Sequence, residues 1–323
     1  HIGFRYNVTK LCSRFPTLGL SFFIQMNKSD SGAIFFVRFF WRLVILFAIG
    51  FLHHLHYRGD ILTIYAMLGV GLLIFYKLPD KLLLILALCL TINLPSAAVR
   101  GFQALNSPAE GENTQAPFSV DDAASEKYFN AVKSGSYMEI LKANLGDFDY
   151  KYQFQVESGR IYITLGLFLL GLYAGRKGVF EKLSERLPLF KRLMKGSLWT
   201  LLGLILFALA FFGGAEVAKI KLPQIVQWMV GVLIYDVFNL ALATVYVAAI
   251  VLLFQKEKWN KRLMIFYEAG RMGLTTYLMQ SFFGILLFFS VGFGLLGEIG
   301  AVSYTHLRAH ETKANLVCRL LLE

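Results

Sequence analysis

Apolar residues in this chain come in eight separate blocks of near-membrane length, at residues 15–26, 38–56, 60–76, 81–95, 160–175, 197–214, 225–254 and 263–289. A helix crossing a bilayer needs about 20 predominantly apolar residues, because the hydrocarbon core is about 30 Å thick. Blocks of that size, separated by short polar loops, suit side chains received by lipid rather than by one protein interior. Composition agrees: 16% of residues are charged, against about a quarter in soluble domains. The expected fold is therefore an all-α integral membrane protein, a polytopic helical bundle of about 7–8 transmembrane helices. The first block, with only about twelve residues, supplies the eighth.

The net charge is +11. A nucleic-acid partner would need a basic face on a solvated domain. Here the lysines and arginines sit in the short loops, so the lipid bilayer is the expected partner and nucleic acid is not. Alternating the blocks across the membrane puts sixteen basic loop residues on one side and only Arg58, Lys219 and Lys221 in the short loops of the other. By the positive-inside rule the rich side is the cytoplasm. Loops 176–196 and 255–262 are then inside, and the acid-rich stretch 96–157 is extracytoplasmic. Within that stretch NSPAEGENTQAP reads as linker, and Tyr128, Phe129, Val132, Tyr137, Ile140 and Leu141 recur at helical spacing, which predicts one or two amphipathic helices over 123–145. The organisation expected is N-terminal spans over 1–95, the outer region 96–157, C-terminal spans over 158–301, and a tail at 302–323.

The tail resembles translated sequencing-adapter read-through and is expected to carry no biology; the opening without methionine suggests a chain that begins upstream. His306, His310 and Glu311 imitate a helical metal site inside that tail, and no metal is assigned. Cys12, Cys89 and Cys318 form no ligand-spaced or CxxC pair, so no disulfide framework is indicated.

Three clusters of polar residues stand out. In FLHHLHYRGDIL, His53, His54 and Asp60 meet at the outer ends of two consecutive blocks. Histidine can act as a base near neutral pH, and a carboxylate can orient it; these three are the candidate catalytic residues. In block 263–289, Glu268, Arg271, Thr275 and Gln280 interrupt an apolar run. A charge at that depth faces protein or a water-filled cavity and marks a functional candidate, so these residues are candidate substrate contacts, although Glu268 and Arg271 at i, i+3 also suit an ion pair that merely fastens helices. Asp236, beside Asn239, is a third intramembrane spot and joins the candidate substrate contacts. Gly171 and Gly175 make a GxxxG step that suits close helix packing. No P-loop, GxSxG, HExxH or dinucleotide fingerprint occurs, and no cofactor is identified.

GRMGLTTYLMQS at 270–281 resembles the GRMALTNYLLQS signature of the YeiB-like family, bacterial inner-membrane proteins carrying a domain of unknown function. GDILTIYAMLG at 59–69, LGLSFFIQM at 18–26 and SGSYMEIL at 134–141 are similar to further family stretches. Thr276 departs from the family's asparagine, and Asn144 stands near an expected arginine. The resemblance implies a multi-pass protein of the bacterial cytoplasmic (inner) membrane, distantly similar to transmembrane acyltransferases. It implies transfer of an acyl group, from a donor such as acyl-CoA, to an extracytoplasmic or membrane acceptor. A transporter or lipid-handling protein, or a non-catalytic membrane subunit, is the alternative.

Overall fold

The computed structural model describes residues 18–27, 32–106, 122–180, 183–214, 224–265 and 272–296. Every regular element among them is helical, so the all-α class holds. In chain order the helices are α1 (Leu18–Asn27), α2 (Gly32–His56), α3 (Leu62–Phe75), α4 (Asp80–Thr91), α5 (Leu94–Asn106), α6 (Asp122–Ser134), α7 (Tyr137–Gly146), α8 (Phe148–Glu157), α9 (Arg160–Arg176), α10 (Leu183–Ala208), α11 (Gln224–Phe254), α12 (Glu257–Leu263) and α13 (Gly273–Phe288). A five-residue π-helical stretch, Leu209–Gly213, extends α10. The chain divides into two units: residues 1–47, 62–118 and 152–271 form the first, and 48–61, 119–151 and 272–323 the second.

Three helical segments among the described residues are long and apolar enough to cross a membrane: Ile34–His56, Glu185–Gly213 and Met229–Phe254. A fourth arises if α8 and α9, bent by 70° at their junction, count as one broken span. The expected count of seven to eight is larger than this. Blocks 60–76 and 81–95 form helices of 14 and 12 residues, which at about 1.5 Å per residue reach about two thirds of a bilayer core at most. The long helices nevertheless look outward as membrane helices do. On α2, Phe35, Phe39 and Leu43 recur every four residues and are buried, while Val37, Phe40, Trp41 and Ile45 are exposed. Leu198, Trp199, Leu202, Ile205 and Leu206 on α10 are exposed as well. Contiguous apolar surface of this kind is rare on soluble monomers.

Some boundaries differ from the sequence reading. Pro95 does not end a helix; it sits in the first turn of α5, where a missing N–H costs nothing. The stop comes earlier, at Asn93, whose φ of 61° breaks the ladder. The basic stretch expected as loop 176–196 is largely the start of α10. Of block 263–289, the described residues show α12 ending at Leu263, with Lys261 and Arg262 suited to its negative C-terminus, and a second helix, α13, from Gly273. Residues 123–145 hold two helices, α6 and α7. Ser136 and Glu139 start α7 with a capping box: the Ser136 N–H donates to Glu139 Oε2 at 2.6 Å, and the Glu139 N–H donates to Ser136 Oγ at 3.4 Å. Those bonds hold the Glu139 carboxyl below its usual range.

The core of the first unit forms around α9, which packs against α1, α3 and α4. Phe22, Leu72, Leu83, Leu169 and Leu172 are completely buried there. Glycines set the approach. Gly175 receives the ring of Phe23, and Gly166 lies on Thr91 and the Ala87 carbonyl. At the start of α4, Asp80 accepts from Lys177 at 2.7 Å and Arg176 at 3.1 Å, and these two hold its carboxyl below the usual range. The tightest contact is at Gly19, where a Cβ would lie 1.8 Å from the Phe168 carbonyl oxygen. Gly19→Ala must therefore push α1 off α9. A loss of about 3 kcal/mol is expected, read as a lowered melting midpoint in detergent; an unchanged midpoint would mean that this contact is not made.

Candidate functional site

The second unit gathers the titratable groups. Its first segment is the end of α2 and the turn after it. The Tyr57 N–H donates to the His53 carbonyl at 2.9 Å and the Asp60 N–H to the Tyr57 carbonyl at 3.2 Å, folding the chain so that Asp60 returns beneath His53. Seven residues of separation thereby become a contact: His53 Nδ1 lies 3.0 Å from Asp60 Oδ1. Asp60 is 2% exposed, and its second oxygen, Oδ2, accepts from Lys151 Nζ at 3.0 Å. Lys151 is itself buried.

This geometry fixes a tautomer. A carboxylate can only accept, so Nδ1 of neutral His53 carries the hydrogen and Nε2 carries the lone pair. Nε2 is buried and has no hydrogen-bond partner among the described residues. The imidazole lies beside the rings of Tyr277 and Tyr57, at centroid distances of 5.1 and 5.6 Å. Tyr277 in turn receives the Ile61 N–H at 3.2 Å and donates to the Gly59 carbonyl at 3.4 Å, which ties α13 to the turn that positions Asp60.

The other two histidines of the run hold helices. His54 is fully buried; its Nε2–H donates to the Asn144 carbonyl at 2.9 Å, and Asn144 Nδ2 donates to the Leu55 carbonyl at 2.8 Å. The pair latches α7 to the end of α2 and satisfies a carbonyl that the helix end leaves open. His56 Nδ1–H donates to the Leu52 carbonyl at 2.8 Å, and Nε2 accepts from the Tyr137 hydroxyl at 2.7 Å. Arg58 pairs with Asp147 at 3.0 Å and lies over the rings of Tyr128 and Tyr150, at 4.6 and 5.2 Å. Burial pushes the Tyr128 phenol up to about 12, against the pull of the nearby guanidinium.

Of the residues singled out from sequence, His53 and Asp60 meet directly and His54 lies one position along the same helix. Thr275 and Gln280 occupy exposed positions on α13, on either side of Tyr277, which faces the site. Glu268 and Arg271 lie outside the described residues, as do His306, His310 and Glu311. Asp236 belongs to the first unit, where it accepts from Asn93. Lys151 and Tyr277 were not anticipated: Lys151 stands 91 positions from its partner, with no spacing to betray it. Among the described residues no three His, Cys, Asp or Glu side chains group as metal ligands would.

Residues 174–310, under half of the chain, match the family described as "Protein of unknown function (DUF418)". The chain is 25% identical over 294 residues to "Uncharacterized protein YxaH" of Bacillus subtilis (strain 168), an alignment covering 87% of this chain and 66% of that protein. It is 40% identical over 55 residues to "Uncharacterized 39.9 kDa protein in amylase 3'region" of Bacillus acidopullulyticus, covering 17% of this chain and 15% of that protein. The chain thus spans less than two thirds of the length of either relative. No solved structure matches. The C-terminal match is consistent with the YeiB-like resemblance, and the likeness to the Bacillus subtilis protein runs through most of the helical chain.

Proposed function

We propose that this membrane protein transfers an acyl group to a hydroxyl acceptor, with His53 as general base, Asp60 as the group that orients it, and Lys151 as the cation that holds Asp60 ionised. The observation that carries the reading is the 3.0 Å contact between His53 Nδ1 and Asp60 Oδ1, which leaves a buried Nε2 lone pair without a partner. An acceptor O–H would pass its proton to Nε2 as its oxygen attacks the carbonyl of an acyl thioester. The C–S bond breaks, and the leaving thiolate regains the proton from the imidazolium. Thioester and alcohol become ester and thiol, and no external oxidant or reductant is needed. His54 and Asn144 serve this site by fixing the helix end that carries His53. In this reading the site lies on the extracytoplasmic side of a bacterial inner membrane, following the loop-charge asymmetry, and Arg271 meets the donor's anionic group.

The test is transfer itself. The 323-residue chain in proteoliposomes, given radiolabelled acetyl-coenzyme A, is expected to move label into a hydroxyl-bearing lipid or glycan fraction. Solute flux without label transfer would sink the reading in favour of a transporter. Neither activity would sink it in favour of a non-catalytic subunit.

A further inference from the structure

Within the first unit, basic residues from two separate segments gather at one end of a helix pair. α10 runs alongside α11, and one apolar cluster joins the start of the first to the end of the second. Leu183 and Phe190 of α10 pack with Val251 and Phe254 of α11, and Leu263 closes the cluster from the end of α12. Residues 183–196 and 255–265 therefore share that end. They hold eight lysines and arginines against two acids, Glu185 and Glu257. Glu257 meets Lys261 at 3.5 Å, but the two side chains are 85% and 79% exposed, so solvent screens the pair and the basic surplus stands. Lys177, after the end of α9, adds to it: the Arg186 guanidinium lies close enough to oppose its charge. Position along α10 shows what the surplus faces. Phe190 is buried, whereas Arg186, Lys191, Arg192 and Lys195 are exposed. At about 3.6 residues per turn, Arg186 and Arg192 bracket a strip made by Leu189 and Leu193, which are 36% and 41% exposed. Between Lys195 and the end of the π-helical stretch no residue is charged, and Leu198, Trp199 and Leu202 carry the exposed surface into the span. On α12, Trp259 is 39% exposed and the Arg262 guanidinium lies over its ring at 5.5 Å.

We propose that this basic collar is a docking surface for anionic phospholipid headgroups, with phosphatidylglycerol the lipid to test. A topological signal needs only charge in a loop. Here the cations stand on folded helices, where the charged surface gives way to the apolar one. A headgroup phosphate can meet arginine and lysine there while its acyl chains lie along Leu189, Leu193 and Leu198. Basic residues immediately outside a span attract anionic headgroups, and a guanidinium offers a phosphate two parallel N–H donors. Tryptophan suits the same level, with an apolar body and a polar N–H. A soluble polyanion would answer the charge but would leave the two leucines and Trp259 against water.

The purified 323-residue chain is reconstituted in phosphatidylcholine vesicles with a trace of spin-labelled lipid, and electron spin resonance measures the label immobilised at the protein surface. At low salt, labelled phosphatidylglycerol is expected to be held about fivefold more strongly than labelled phosphatidylcholine, the preference that one basic contact supplies. The ratio should fall toward one in about 1 M sodium chloride, which screens exposed charges. Combining Arg186→Gln, Arg192→Gln, Lys258→Gln and Lys261→Gln should remove most of the preference. A ratio of one in the wild type overturns the proposal, as does a preference undiminished in the fourfold variant. Inorganic phosphate should displace no more label than chloride does at equal ionic strength; selective displacement would mean a site for free phosphate and would also overturn it. If the fourfold variant fails to reconstitute, Arg192→Gln and Lys258→Gln are measured singly, and a ratio unmoved in both decides against the collar.

Discussion

His53→Gln is expected to lower acyl transfer by about 10²- to 10⁴-fold, the usual contribution of a positioned general base, while the protein inserts and melts almost as the wild type does. The substitution keeps a side chain of similar length, and its amide N–H can still donate to Asp60 Oδ1. It removes the Nε2 lone pair, so an acceptor hydroxyl would have to attack without giving up its proton to the protein. Initial rates of label transfer, compared at equal reconstituted amounts, make the measurement. A variant retaining more than about a tenth of the rate would mean that His53 is not the base. A variant failing to accumulate would instead assign the imidazole to the packing between Tyr57 and Tyr277.

The largest effect on stability is expected at Lys151. Lys151→Met leaves the Asp60 carboxylate, 2% exposed, with the imidazole but without its cation. Breaking a buried ion pair from one side typically costs about 3–5 kcal/mol, because the remaining buried charge loses the opposite charge that offset its desolvation. Methionine matches the stem of lysine closely, so lost packing contributes little. The double variant Lys151→Met, Asp60→Asn removes both charges and leaves His53 Nδ1–H an amide oxygen to donate to. It should regain most of that loss, with a coupling energy at the upper end of the range for contacting residues, about 3 kcal/mol. Unfolding of the four proteins of this cycle in detergent provides the figures. Simple additivity of the two single losses would show that the ion pair is not made in solution.

What the sequence made legible follows the distance over which its signals act. The long apolar runs announced α2, α10 and α11 because an unbroken run of that length suits a helix whose surface is apolar over most of its turns. His53 and Asp60 were readable together because a short turn is all that separates them. Asp236 was readable as a polar residue out of place, but its partner Asn93 stands 143 positions away, and an asparagine two residues before a proline looks like an ordinary helix end. Lys151 lies in FDYKYQFQVE, which has the composition of a wetted surface; only the folded chain shows its ammonium buried against Asp60. The described helices include fewer full-length spans than the blocks suggested for a related reason: hydropathy measures how apolar a block is, whereas crossing also requires unbroken helical length, which Asn93 interrupts.

The separation between Asp60 and Lys151 bears on how the protein is made. During synthesis His53 and Asp60 emerge together, about 90 residues ahead of the cation that completes their network. Until α7 and the start of α8 fold back, the carboxylate has no ammonium beside it, and the latch between His54 and Asn144 is also open. Closing so long a loop is entropically unfavourable, and the ion pair and the latch are formed by the same docking event. A nascent chain therefore holds His53 and Asp60 before the network around them exists, and that network closes in one late step, when α7 and α8 seat.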